Sequence, residues 1–290
     1  MRGTVVAAFG RSYLVEADGG PVITCFPRGK RSEIACGDRV RISSTSPDQG
    51  VIDAIEPRTS LFYRSDAFRQ KLIAANVSQI VLVLATSPTW YEELLNRCLV
   101  AAECAGARAI IVLNKADLPA TVAALAELEP YARLGYALVP LCARDSVAPL
   151  QPWLQGQTSV LVGQSGMGKS TIINGLFPDA RAATSSISAA LDSGRHTTTH
   201  ARLYRGGPET SVIDSPGLQE FGLHHLVITD LDAGFPEFRP LLGTCRFANC
   251  RHLQEPGCAL DAAADAGKVA RRRLHAYRAI ALQLLEASAR

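Results

Sequence analysis

Apolar and polar residues alternate in five short runs over the first 57 residues: Val5, Ala7, Phe9; Tyr13, Val15; Val22, Thr24, Phe26; Val40, Ile42; and Val51, Asp53, Ile55. A period of two puts successive side chains on opposite faces, so each run predicts a half-buried strand. Gly19-Gly20-Pro21, Gly37-Asp38 and Pro47-Asp48-Gln49-Gly50 supply the breaks. Five short strands of this spacing suit a small OB-type barrel, with a β-sandwich fragment as the alternative. Between the third and fourth runs, Arg28-Gly29-Lys30-Arg31 is a basic loop suited to RNA phosphates or to a solvated turn.

The stretch from Pro57 to about Ala75 has no clear period and reads as a linker. Ile80 to Leu84 is then continuously apolar, the signature of a strand covered on both faces of a parallel sheet. Helical and strand patterns alternate after it: a helix over about 91–104, a strand over 108–113, a helix over about 120–132, a strand over 137–141, a short helix near 146–154 and a strand over 159–162. Repeated βα units predict an α/β domain. Beyond about Phe221 the pattern turns to short helical pieces and a terminal helix from roughly Ala262 to Glu286. The expected division is 1–60, barrel; 61–222, α/β; 223–290, a small, mainly helical unit.

No apolar run approaches the roughly 20 residues needed to cross a bilayer. The first residues alternate like a strand and carry no apolar signal core, so a cytoplasmic location and no membrane partner are expected. The net charge of +3 singles out no partner, but 268–290 holds Lys268, Arg271, Arg272, Arg273, Arg278 and Arg290 against Glu286, a patch suited to phosphate.

Gly163-Gln164-Ser165-Gly166-Met167-Gly168-Lys169-Ser170 matches the P-loop pattern and follows a strand directly. Its glycines let backbone N–H groups close around phosphates, and the helix starting near Lys169 aims its positive end at them. Lys169 is expected at the β and γ phosphates, Ser170 at Mg²⁺ and Thr171 near the α phosphate.

The base is read upstream. Asn114-Lys115-Ala116-Asp117 follows an apolar strand, and there an Asp carboxylate accepts from the guanine ring N–H and exocyclic amine. Adenine presents the wrong groups, and a site left with unpaired buried polar atoms discriminates by roughly 10⁴-fold. Leu141-Cys142-Ala143-Arg144 stands where a GTPase carries its second base loop. Cys142 replaces the usual serine, the Ala143 N–H is expected to face the guanine oxygen, and Arg144 is placed to cover the base.

Downstream, Asp214-Ser215-Pro216-Gly217 fits the DxxG switch, with Asp214 holding Mg²⁺ through water and the Gly217 N–H sensing the γ phosphate. In Gly194-Arg195-His196-Thr197-Thr198-Thr199-His200, Thr197 or Thr198 is expected to complete the Mg²⁺ shell, the alternative being a merely polar loop. The motif order is a rotation of the usual one, which a fold with neighbouring termini tolerates. Leu218 occupies the position that often holds a water-orienting glutamine; His196, Gln219 or a partner's group is the candidate in its place.

Cys245, Cys250, His252 and Cys258 crowd into one short segment, and three thiolates with one imidazole make a closed tetrahedral set for a structural Zn²⁺, reduced buried cysteines being the alternative.

Together these features resemble the ribosome small-subunit-dependent GTPase A (RsgA) family over nearly the whole chain. Ile73-Ala74-Ala75-Asn76-Val77, Leu95-Asn96-Arg97, Ala101-Ala102-Glu103, the switch-one run and Cys250-x-His252-x-x-Glu255-Pro256-Gly257-Cys258 support the likeness. The resemblance implies a late assembly factor of the small ribosomal subunit that takes GTP and GDP, binds rRNA through its barrel and zinc unit, and is stimulated by the subunit. A monomer is expected. The competing readings are a non-catalytic GTP-dependent RNA-binding protein and a permuted GTPase with another ribosomal target.

Overall fold

The computed structural model describes residues 1–29, 33–66, 69–178, 200–207, 209–215 and 221–288. The five alternating runs form β1 (Arg2–Phe9), β2 (Ser12–Ala17), β3 (Val22–Pro27), β4 (Arg39–Ser46) and β5 (Gln49–Ile55). They pair in the order β1-β2-β3-β5-β4, and β4 closes onto β1, which makes the OB-type barrel rather than an open sandwich fragment. Only β3 and β5 run parallel. The inward positions Val5, Val15, Ile23, Val40, Ile42 and Ile52 fill the barrel.

The expected linker is a hairpin instead. Strands β6 (Leu61–Asp66) and β7 (Arg69–Ala75) pair antiparallel. The register slips between Phe62 and Tyr63, and such a bulge breaks the alternation that would have revealed the strand. Phe62, Ile73, Ala74 and Ala75 bury its base.

The α/β sheet runs through β8 (Gln79–Ala85), β9 (Arg108–Asn114), β10 (Ala137–Leu141), β11 (Thr158–Val162), β12 (Arg202–Arg205) and β13 (Ser211–Asp214) in the order β10-β9-β8-β11-β13-β12. All are parallel except β12, which the sequence reading omitted; only Leu203 of its four residues is buried. Strand β12 also pairs with β1, Ala7 opposite Arg202, so barrel and α/β sheet are continuous. A short strand, β14 (Phe221–Gly222), pairs with β6.

Strand β8 is buried at every position, as its apolar run predicts. Its even residues Ile80, Leu82 and Leu84 pack toward α1 (Glu92–Cys104) and α2 (Thr121–Arg133). Val81, Val83 and Ala85 pack toward α3 (Gln151–Leu154) and α4 (Lys169–Leu176). The C-terminal part is mainly helical, with α5 (Ile228–Ala233), α6 (Ala259–Asp265) and α7 (Arg271–Ser288). The single terminal helix expected from Ala262 is therefore two. Gly267, at φ +70°, ends the first, since a left-handed residue stops a helix and glycine adopts it without strain. No helix among the described residues is long and apolar enough to cross a membrane.

Four arginines of the basic patch of 268–290 take part in ion pairs. Arg271 pairs with Asp265, Arg272 with Glu92, Arg273 with Glu237 and Arg278 with Asp261. Arg273 is buried in its pair, whereas the Arg271 side chain stays 63% exposed.

Candidate functional site

The carboxyl ends of parallel strands form the natural ligand crevice of an α/β sheet. Here β9 ends at Asn114, β10 leads to Cys142, and β11 leads into the phosphate loop before α4. A cavity of about 510 Å³ opens among them, lined by Asn114, Lys115 and Asp117, by Cys142 and Ala143, and by Ser165, Gly166, Gly168, Lys169, Ser170 and Thr171. Two motifs some 50 residues apart in sequence thus face one space. Gly163, Gln164 and Met167 complete the loop behind the lining.

Asn114 is the joint of the cavity. Its buried Nδ2 donates to the Met167 carbonyl at 2.8 Å, and its Oδ1 accepts from the Ala143 N–H at 3.0 Å. The Ala143 N–H expected to face guanine thus contacts Asn114 in this structure. Lys115 takes φ +58°, a conformation that β-carbon-bearing residues hold only where the surroundings impose it. Its Nζ donates to the Ser87 carbonyl, and the Ala116 N–H donates to the Leu141 carbonyl at 3.1 Å. Asp117 is left exposed toward the cavity. Hydrogen bonds to Asp145 and then to Asp117 favour the protonated Cys142 thiol and raise its pKa.

At the phosphate end the Lys169 side chain is buried, and its Nζ donates to the Gly163 and Gln164 carbonyls at 2.8 and 3.0 Å. Burial lowers its pKa, and the nearby Asp214 opposes that shift. Asp214 itself is buried at the end of β13, beside β11. The residues His196, Thr197, Thr198, Gly217 and Gln219 lie outside the described residues.

The sequence reading missed Ser87, which lines the cavity from just beyond β8. Its signal was positional: β8 lies between β9 and β11, so the residues just past its end must border both motifs.

The second constellation lies in the C-terminal part. The ligand atoms of Cys245, Cys250, His252 and Cys258 all fall within 4.8 Å of one another, a cluster able to hold a metal ion. His252 Nδ1 stands 3.5, 3.6 and 3.5 Å from the sulfurs of Cys245, Cys250 and Cys258. Burial pushes the Cys250 and Cys258 thiols up, the shift that a bound cation would reverse. Glu255 shapes the turn: its carboxylate accepts from the N–H groups of Arg251, Leu253 and Gln254 at 3.0, 2.9 and 3.2 Å.

The sequence profile of the RsgA GTPase family matches residues 55–224. A protein of Nitrosospira multiformis named small ribosomal subunit biogenesis GTPase RsgA is 55% identical over 279 residues, covering 96% of this chain and 89% of that protein. The chain belongs to the RsgA GTPase family. A relative of the same name in Nitrosomonas europaea is 53% identical, over 96% of this chain and 90% of its own. The crystal structure of YjeQ from Thermotoga maritima matches 98% of both chains with a TM-score of 0.72 at 29% identity. That of YloQ, titled a circularly permuted GTPase, matches 98% of this chain and 95% of its own with a TM-score of 0.69 at 28% identity. As a member of the RsgA GTPase family the chain is a GTP hydrolase, and its central domain has the permuted order.

Proposed function

We propose that this GTPase binds GTP and GDP in the cavity described above and acts as a monomer in the cytoplasm on the small ribosomal subunit, assisting its late maturation and contacting its rRNA. The observation that carries the nucleotide reading is that Asp117 and Lys169 line one cavity of about 510 Å³. The relatives' name supports the target.

In this reading Asp117 takes the guanine edge, Asn114, Lys115 and Ala116 hold its loop, and Cys142 and Ala143 close the base side. The N–H groups of 163–168 cradle the phosphates, Lys169 meets the β and γ groups, and Thr171 lies toward the α phosphate. Ser170 and Thr198 would hold Mg²⁺, with Thr197 the alternative and Asp214 acting through water, and the ion would supply charge neutralisation at the phosphates. The Gly217 N–H senses the γ phosphate. Leu218 offers no hydrogen bond to the attacking water, so His196, Gln219 or a group of the subunit orients it. The division into 1–60, 61–222 and 223–290 belongs to the same reading.

The metal is proposed to be one structural Zn²⁺. Tetrahedral bonds of about 2.05 Å to nitrogen and 2.3 Å to sulfur put the two donors roughly 3.55 Å apart, and the observed separations are 3.5 to 3.6 Å. Four protein ligands leave no open coordination position.

Phosphate release measured with and without purified small subunits tests the function. Slow release alone and a marked rise with subunits is expected; a rate indifferent to the subunit contradicts it. Elemental analysis returning one zinc per chain tests the metal.

A further inference from the structure

Gln164 belongs to the phosphate loop, yet its buried side chain does not line the cavity. Its Oε1 accepts the Tyr91 N–H at 2.8 Å instead. Tyr91 is the N-cap of α1, and its carbonyl accepts from the Leu95 N–H within the first turn. The loop that would cradle phosphate is therefore fastened to the start of a helix about 20 Å long.

The same helix holds the C-terminal part through two adjacent residues. Asn96 Oδ1 accepts from Arg273 Nη1 at 2.6 Å, and Arg273 is otherwise clamped by Glu237. Arg97 Nη1 donates to the Phe221 carbonyl at 3.4 Å, and its Nη2 donates to Gln283. Both arginines are 2% exposed. A buried guanidinium that loses a partner without gaining another costs several kcal/mol, so such contacts exchange between discrete arrangements rather than stretching. A displacement of α1 is thereby passed to α7 instead of being absorbed.

We propose that α1 is a rigid coupler between the phosphate loop and helix α7, and that Gln164 is the positioning residue that engages it. Nucleotide occupancy then biases the seating of α7, and by linkage any partner that grips α7 biases nucleotide affinity in return. The proposal rests on the nucleotide reading of the cavity.

Hydrogen–deuterium exchange of the full chain, nucleotide-free or saturated with GDP, tests it. Exchange in 271–288 is expected to differ between the two states in the wild-type chain. Gln164→Leu removes the acceptor of the bond and Tyr91→Pro removes the donor N–H; each is expected to abolish the difference with nucleotide bound. Tyr91→Ala, which keeps the N–H and trims an exposed ring, is expected to retain it. A difference that persists in either folded variant, its loss in Tyr91→Ala, or its absence from a wild-type chain that binds GDP overturns the coupler. A wild-type chain that binds no guanine nucleotide overturns the reading of the cavity instead.

Discussion

The Asn114 amide nitrogen occupies the space that a β-carbon on Gly168 would need, with only 2.1 Å between them. The two loops that meet across the cavity are packed to the limit at this point, and Gly168 holds φ +96° there. Gly168→Ala is expected to displace Asn114 and break its bonds to Met167 and Ala143. Nucleotide affinity should fall about ten- to hundredfold, the equivalent of the roughly 1–3 kcal/mol of a buried hydrogen bond left unmade. A fluorescent GDP titration checks this, and unchanged affinity would refute the joint.

Asp117 faces the cavity without a cation bonded to its carboxylate among the described residues. Asp117→Asn exchanges one acceptor for a donor, so preference should shift from guanine toward xanthine nucleotides. Competition between GDP and XDP reads the shift; retained guanine preference would remove Asp117 from base recognition.

Lys169 is a buried cation whose pKa is lowered by burial. Lys169→Met should abolish hydrolysis while leaving the nucleotide-free protein at least as stable, because the desolvation cost disappears with the charge. The pair of measurements is phosphate release and thermal melting without nucleotide. A strongly destabilised variant would mean that the bonds to Gly163 and Gln164 are structural staples.

Removing the metal should loosen the C-terminal part, whose cluster ties 245–258 together. Glu255→Ala frees three N–H groups of the turn without touching a ligand atom. Metal affinity is expected to fall about 10–100-fold, as for other outer-shell partners. Competition with a chromogenic chelator measures it, and equal affinity would show that the turn holds its shape alone.

Asp38 is fully buried and is gripped bidentately by Arg58 at 2.7 and 2.8 Å. Arg58→Ala leaves that carboxylate without its cation and should cost about 3–5 kcal/mol, whereas Arg58→Met with Asp38→Leu should cost much less. Urea melts of both variants distinguish an isolated buried charge from lost packing.

The elements that the sequence disclosed carry their own period: the five barrel strands, the doubly covered β8 and the helices over 92–104 and 121–133. The elements it hid depend on partners far away in the chain. Strand β12 has four residues and forms against β13 and β1, and the β6–β7 hairpin loses its alternation at the Phe62–Tyr63 bulge. Charge was legible only in part for a similar reason. Of the six basic residues near the end, four meet Asp265, Glu92, Glu237 and Asp261, partners that spacing alone does not show. At the site, Asp117 and Lys169 were legible because each follows a strand, while the reach of Gln164 toward Tyr91 depends on side-chain direction, which no spacing reveals.

The junction of β1 with β12 has a consequence for solubility. Among the described residues, β12 without the barrel would be a border strand, its outward amides open to any passing chain. The barrel meets that border at Ala7 and Ala8, so it also works as a partial guard against sticking. Shedding it would leave the remainder prone to self-association even with its cavity intact.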